Sequence, residues 1–533
     1  MAVKKICTWA CGLLLASGAA TAGAGELTPV ESLGRMLFFD DALSSPAGQS
    51  CADCHDPQVG WTGPDAAVNA AGAVVEGAVT GRFGNRKPPS AAYAGFNPIL
   101  HMCGELGGGG MGGGGGMGGG GGMGNGPGMG GGGGAQTCGN GFGGGLFWDG
   151  RATGWTLGDP LAEQAMGPFL NPLEMNNPDA MSVCLKVSES AYADLFEEVW
   201  GEESLECEGN AEAAYELIGR SIAAYERSAE VNPFSSKFDS FWRQLQRARV
   251  KGAQIPPVAS INMMNMAKFK RYGLNDTELM GLVVFNTKGK CSVCHLLEPR
   301  HGSQYPLFTD FMYHNLGIPA NPENPFYTMP PEWNPAGPEW VDYGLGGFLA
   351  TTADAQDAMG RLRDYTVYAP ENDGRHRTVT LRNVDKRPSP DFVKSYGHNG
   401  FFKNLMQIVH FYNCRDVPFE PQCTMQPPFP APEVPENVNT TDMGDLGLTQ
   451  MEGMALVKFM ATLTDVDRHT PDIDNDGCVN RFDLTALMTA LRDADLTELE
   501  RLAYDLNDDG QLTIADARLL IASFTRPAGK SCP

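Results

Sequence analysis

The chain has 533 residues, 42% hydrophobic and 19% charged, enough for several domains around large buried cores. Its formal net charge of -24 excludes the basic face that a nucleic-acid binder needs. Glycine is the anomaly: 28 of 68 lie between Gly104 and Gly145 with no G-x-y period, which excludes a collagen and confines the bias to one low-complexity block.

Residues 1–24 read as an export signal. Lys4 and Lys5 precede an apolar run from Gly12 to Ala20, and Ala20-Thr21-Ala22 or Ala22-Gly23-Ala24 offers a small-residue cleavage site. The run is too short to span a bilayer, and no other segment spans one, so the mature protein is expected to be soluble, periplasmic or secreted.

Leu33–Phe39 reads as a helix leading to Cys51-Ala52-Asp53-Cys54-His55. A second helix, Thr277–Phe285 behind the cap Asn275-Asp276, leads to Cys291-Ser292-Val293-Cys294-His295. Two thiols three positions apart can bond both vinyl groups of one porphyrin, and the next residue offers an imidazole to its iron. A zinc site would need further nearby Cys or His ligands, and a redox dithiol has no use for the trailing His. Two covalently bound c-type haems are therefore expected, with His55 and His295 as axial ligands. The motifs lie 240 residues apart, so each haem is expected in its own helical domain. The other eight mature cysteines fall into sequence-near pairs, Cys103/Cys138, Cys184/Cys207, Cys414/Cys423 and Cys478/Cys532, which an exported protein can oxidise.

Between the motifs lie Phe147-Trp148-Asp149-Gly150-Arg151-Ala152, then Glu163-Gln164-Ala165-Met166-Gly167-Pro168, then Asn171-Pro172-Leu173-Glu174-Met175. After the second motif come Thr380-Leu381-Arg382-Asn383-Val384 and Gly397-His398-Asn399-Gly400. In order and spacing these segments resemble the bacterial dihaem cytochrome c peroxidase and MauG family, over roughly residues 26 to 463 apart from the Gly-rich block. The resemblance implies a mainly α fold with two cytochrome c-like haem domains. The N-terminal peroxidatic domain is expected over 25–235, with the loop insertion 104–145, and the electron-transfer domain over 236–463.

By the same resemblance Glu174 is the acid/base for hydrogen peroxide and Gln164 positions it by hydrogen bonding. Trp148 is the aromatic between the haems. The bland readings are a helix-start carboxylate for Glu174 and an ordinary buried indole for Trp148. No His lies between His55 and His101, so the first haem is expected to be open to peroxide without reductive activation. Tyr412, fourteen residues after His398, stands where MauG-type proteins place a ligating tyrosine and peroxidases a Met. A phenolate favours ferric or higher-valent iron; His410 as ligand, or Tyr412 as a core aromatic, are the competing readings. The family also binds calcium between its haem domains, partly through an Asn in an R-N-T-P-S run. Here the run is Arg86-Lys87-Pro88-Pro89-Ser90, with Lys87 in the Asn position.

Residues 464–533 form a separate unit. Asp472, Asp474, Asp476, Asn480 and Asp483, with Gly477 at the sharp turn, recur 33 residues later as Asp505, Asn507, Asp509, Thr513 and Asp516, with Gly510. Oxygen ligands at positions 1, 3, 5, 9 and 12 describe an EF-hand-type calcium loop, and each leads into an apolar-periodic helix. The pair resembles a type I dockerin domain, which implies a cohesin partner; a calcium-stabilised terminal cap without a partner is the alternative. The function expected is an exported dihaem oxidoreductase. It reacts with peroxide at the first haem and draws electrons through the second from a small electron-donor protein. The alternatives are MauG-like oxidation of a partner protein side chain, and a pure electron-transfer haemoprotein anchored by its dockerin. The methionines of the Gly-rich block, Met111, Met117, Met123 and Met129, recur every six residues, which reads as repeat expansion in a loop.

Overall fold

The computed structural model describes residues 27–103, 141–357, 360–424, 427–466, 473, 479–507, 511–522 and 524. The export segment, most of the Gly-rich block, Cys138, Cys478, Cys532, Asp472, Asp474, Asp476 and Asp509 lie outside them. The described residues are mainly helical, with three two-residue antiparallel ladders. None of their helices is long and apolar enough to cross a membrane.

The chain uses one construction twice. The helix Pro29–Phe39 starts at Thr28, whose side chain and Glu31 form a reciprocal cap, and it buries Leu33, Leu37 and Phe38. It crosses the helix Cys207–Glu226 so closely that a Cβ at Gly34 would collide with the Ser221 carbonyl. The helix Asp276–Asn286 starts at the cap Asn275, with Glu278 closing the box, and buries Leu279, Leu282, Val283 and Phe285. It crosses Gln450–Ala461 in the same way, Gly281 lying against the Ala455 carbonyl. Only glycine permits such backbone approach, which sets each haem-motif turn at a fixed distance from the helix pair behind it.

The apolar core divides accordingly. One cluster gathers Leu33, Phe38, Trp61, Phe169, Val183, Phe196, Ile218 and Tyr225. The other gathers Phe238, Phe241, Leu282, Phe285, Phe308, Phe402, Phe411 and Phe459. Two disulfides brace them. Cys184–Cys207 joins the helix Ala180–Ser188 to the start of Cys207–Glu226, and Cys414–Cys423 closes the end of the helix Leu405–Cys414. These are two of the four expected pairs; the other two involve residues outside the described set. In the Pro-rich stretch after Cys423 the Phe429 ring packs on Phe402, His410 and Phe411.

In the C-terminal unit the helices Arg481–Arg492 and Ile514–Ala522 pack through Ile473, Leu487, Ala517 and Leu520.

Candidate functional site

Cys51, Ala52 and Asp53 form a single 3-10 turn, started by Ser50, whose backbone N–H and hydroxyl both donate to the Asp53 carboxylate at 2.7 Å. This turn sends Cys51, Cys54 and His55 into one cavity. The His55 ring directs Nδ1 at the Trp61 carbonyl, 3.1 Å away, which fixes the ring and leaves Nε2 for a metal. Burial pushes the His55 pKa down to about 4, so the imidazole is neutral and its lone pair available.

Glu174 and Gln164 line the same cavity, with Arg151, Phe147 and Glu226. Gln164 stands on the helix Pro160–Leu170, and Glu174 on the turn that follows it, where its N–H donates to the Asn171 carbonyl at 3.0 Å. Burial raises the Glu174 pKa above the ordinary carboxylate value, against the opposing pull of Arg151 and a hydrogen bond with Asn171. Phe147, Arg151 and Glu174 also line an adjoining cavity, so Glu174 faces both. His101 stands elsewhere, its Nδ1 2.8 Å from the Ile99 carbonyl.

The second motif repeats the plan. Cys291–Val293 is again a 3-10 turn, and His295 Nδ1 lies 2.8 Å from the Phe308 carbonyl. Burial lowers the His295 pKa. Cys291, Cys294 and His295 line a larger, mostly apolar cavity that Tyr412 also lines, while His410 does not. Burial and the nearby Cys294 and Cys291 raise the Tyr412 pKa, so its phenol stays protonated unless a cation approaches. The same wall presents Met443 and Met460, thioethers that sequence spacing did not single out.

The four motif cysteines stay outside any disulfide. An oriented His of lowered pKa and two thiols on one turn fit a covalently held haem at each site, in a mostly apolar chamber at the second and a more polar one at the first.

Trp148 lines both cavities, and its indole N–H donates to the Lys87 carbonyl at 2.7 Å. The segment between Trp148 and Gln164 is held by Glu163, whose carboxylate accepts from the N–H groups of Gly154, Thr156 and Leu157. Arg86 lies nearby and pairs with Asp342 and Asp149 at 2.6 and 2.5 Å. Burial alone would raise the Asp342 pKa, but Arg86 and His376 hold it well below the carboxylate range.

Asp342, His376 and His398 come close enough to suggest a metal site. The geometry argues otherwise. The two imidazoles are stacked 3.7 Å apart and nearly parallel, so their in-plane lone pairs cannot converge, and Asp342 is already held by Arg86. These groups come from distant segments. Of the three, only His398 carried a sequence signal, as part of the matched segment Gly397-His398-Asn399-Gly400.

In the tail, Asp483 and Asp516 are fully buried. Asp483 accepts from the N–H of Ile473 at 2.6 Å and of Asn480 at 2.8 Å. Asp516 accepts from Asn507 at 3.1 Å and Thr513 at 2.7 Å. Each position-12 carboxylate therefore ties the two ends of its own loop.

A family model described as di-haem cytochrome c peroxidase matches residues 29–247, and one described as dockerin type I domain matches 470–525. Over 461 residues the chain is 28% identical to the methylamine utilization protein MauG of Paracoccus denitrificans (strain Pd 1222), covering 85% of this chain and 93% of that protein. It is 22% identical over 386 residues to the cytochrome-c peroxidase IdrP1 of Pseudomonas sp. (strain SCT), covering 72% and 71%. Among solved structures, the diheme peroxidase BthA from Burkholderia thailandensis E264 aligns with a TM-score of 0.56 and 26% identity, over 83% of this chain and 88% of that one.

Proposed function

Given a chain that belongs to the di-haem cytochrome c peroxidase and MauG family and ends in a dockerin type I tail, we propose that it reduces hydrogen peroxide at the first site and draws electrons through the second. The observation that carries this reading is the sharing of one cavity by His55, Gln164 and Glu174, with Trp148 lining both that cavity and the second. Reduction of one peroxide to two waters consumes two electrons and two protons. Bound haem supplies the iron at which the O–O bond is reduced and the path by which electrons arrive.

The chain's own residues do the rest. Glu174 would take the proton of one peroxide oxygen and return it to the other, which leaves as water. Its raised pKa makes it a stronger base than an ordinary carboxylate. Gln164 orients the peroxide, and Arg151 offsets the carboxylate charge. Trp148 gives electrons a stepping point between the sites. Mixing the as-isolated ferric holoprotein with peroxide in a stopped-flow instrument tests this directly. A prompt change in the Soret band without prior reduction is expected. A ferric protein with only bis-histidine low-spin signals, inert until reduced, would overturn the open-site reading.

Tyr412 favours a second version, in which peroxide remains the oxidant and a partner protein's side chain is the electron donor: the oxidising equivalents pass to that side chain, as in a MauG-like enzyme. Tyr412 lines the His295 cavity and could hold a ferric haem iron there as phenolate, a ligand that would favour the oxidised states. Tyr412→Phe is expected to change the absorption and EPR signals of the second haem while leaving those of the first. Unaltered spectra would assign the ligand elsewhere, with Met443 and Met460 next in reach. Peroxide turnover with reduced cytochrome c supports a small electron-transfer donor. Peroxide-induced signals without turnover support a protein substrate, and no reaction leaves electron transfer alone.

For the tail, Asp472, Asp474, Asp476, Asn480 and Asp483, and Asp505, Asn507, Asp509, Thr513 and Asp516, are the proposed ligands of two calcium ions, and a cohesin module the proposed partner. Chelation with EGTA is expected to open residues 464–533 to limited proteolysis and to leave the haem absorption unchanged. A tail equally resistant with and without calcium would refute the assignment.

A further inference from the structure

The calcium that the family resemblance implies between the haem halves does not fit this chain. Two lysines occupy the oxygen-rich junction where a hard cation would sit. Lys394 is 6% exposed, and its Nζ donates to the carbonyls of Val59, Asn383 and Lys386 at 2.8, 2.7 and 3.1 Å. Lys87 is 7% exposed, and its Nζ donates to the Thr62 hydroxyl at 2.7 Å and the Pro88 carbonyl at 3.0 Å. The Thr62 hydroxyl in turn donates to Pro88 at 2.6 Å. Carbonyl and hydroxyl oxygens of this kind are the ligands calcium takes. Here they are already engaged, and a divalent ion would meet two ammonium groups.

We infer that the junction between the two haem-carrying halves is held by the ammonium groups of Lys87 and Lys394 in place of a bound divalent cation. Lys394 reaches from the second half to Val59 in the first. Lys87 ties the halves through its backbone as well: its N–H donates to the His398 carbonyl at 2.9 Å, and its carbonyl accepts from Trp148. Three carbonyl acceptors around Lys394 require three N–H donors, which only the charged ammonium carries. Burial and the neighbouring Lys87 push the Lys394 pKa down, and the completed set of hydrogen bonds is what holds the proton against them.

The anchored oxygens belong to the loop that follows His55. Val59 and Thr62 flank Trp61, whose carbonyl orients the His55 ring. The two lysines therefore position the His55 ring through this loop, and Lys87, whose pKa burial lowers to about 7, sets a positive charge near the first site below that pH. A positive charge favours the reduced iron, so removing one lowers the midpoint potential of that haem.

The test uses the full-length holoprotein. EGTA treatment of the wild type is expected to leave the EPR signals of both ferric haems and the midpoint potential of the first unchanged, because the two lysines stand in place of a cation at this junction. Measured at about pH 6, where Lys87 carries its proton, Lys87→Met is expected to lower that potential, with no recovery on adding calcium, and Lys87→Arg to restore it. The inference is overturned if chelation shifts the wild-type haem signals and calcium restores them, or if Lys87→Met keeps the wild-type potential. Should the Met variant fail to take up haem, the wild-type chelation experiment decides alone. This holds whether or not the haem pair turns over peroxide, since neither readout depends on turnover.

Discussion

Glu174→Gln is expected to slow the reaction of the ferric holoprotein with hydrogen peroxide by roughly 10²–10⁴-fold, the usual worth of a positioned general acid/base, with both haem spectra retained. The amide keeps the size and shape of the carboxyl and cannot take up the peroxide proton. Burial raises the Glu174 pKa, so its base form is lost at a higher pH than for an ordinary carboxylate. The wild-type rate should therefore fall as pH drops through that raised value, and the Gln variant should lose this limb of the profile. Second-order rate constants from stopped-flow absorbance across pH give both results. A variant with the wild-type rate would place the proton transfer on another group. Glu226 is the next to examine: it lines the same cavity, one of its carboxyl oxygens is buried without a hydrogen-bond partner, and burial raises its pKa to about 8.

The largest expected loss of stability follows from Arg382→Met. Arg382 and Asp239 are both fully buried and paired through two contacts, at 3.0 and 2.9 Å. The guanidinium also donates to the Pro306 carbonyl and lies over the rings of Tyr93 and Phe234. Asp239 in turn caps its helix, Lys237–Val250, through Ser236. Removing the cation leaves a buried carboxylate without its partner, a loss of about 3–5 kcal/mol. Asp239→Leu added to Arg382→Met should recover much of it, since the cost is the stranded charge. Chemical denaturation of the holoprotein, followed by tryptophan fluorescence, measures both. A loss of under about 1 kcal/mol, the worth of an exposed pair, would contradict this picture.

What could be read from the sequence follows how local the signal is. The motifs Cys51–His55 and Cys291–His295 are complete within five residues, and their approach helices carry caps and apolar spacing nearby. Glu174, Gln164 and Trp148 were reachable through motif order, and all three line the first cavity. Other features depend on long-range packing. The His376–His398 stack, Asp342 with Arg86, and Met443 with Met460 come together from segments far apart in the chain. Lys87 gave a signal only by standing where the family has an Asn, and Lys394 gave none. Nothing local tells a buried lysine with three carbonyl acceptors from one in solvent.

The tail shows the same division. A 12-residue spacing repeated twice is visible in the sequence, and so is the apolar period of each helix. That Asp483 and Asp516 are fully buried and close their own loops is visible only in the fold.

The central claim is that peroxide is reduced at the His55 site with electrons drawn through the His295 site. Steady-state consumption of hydrogen peroxide by the holoprotein, with a reduced small c-type cytochrome as donor, tests it most directly. The predicted result is donor oxidation at two electrons per peroxide consumed, slowed severalfold or more in Trp148→Phe. A holoprotein with both haems in place that neither consumes peroxide nor changes its spectrum on mixing would contradict the account.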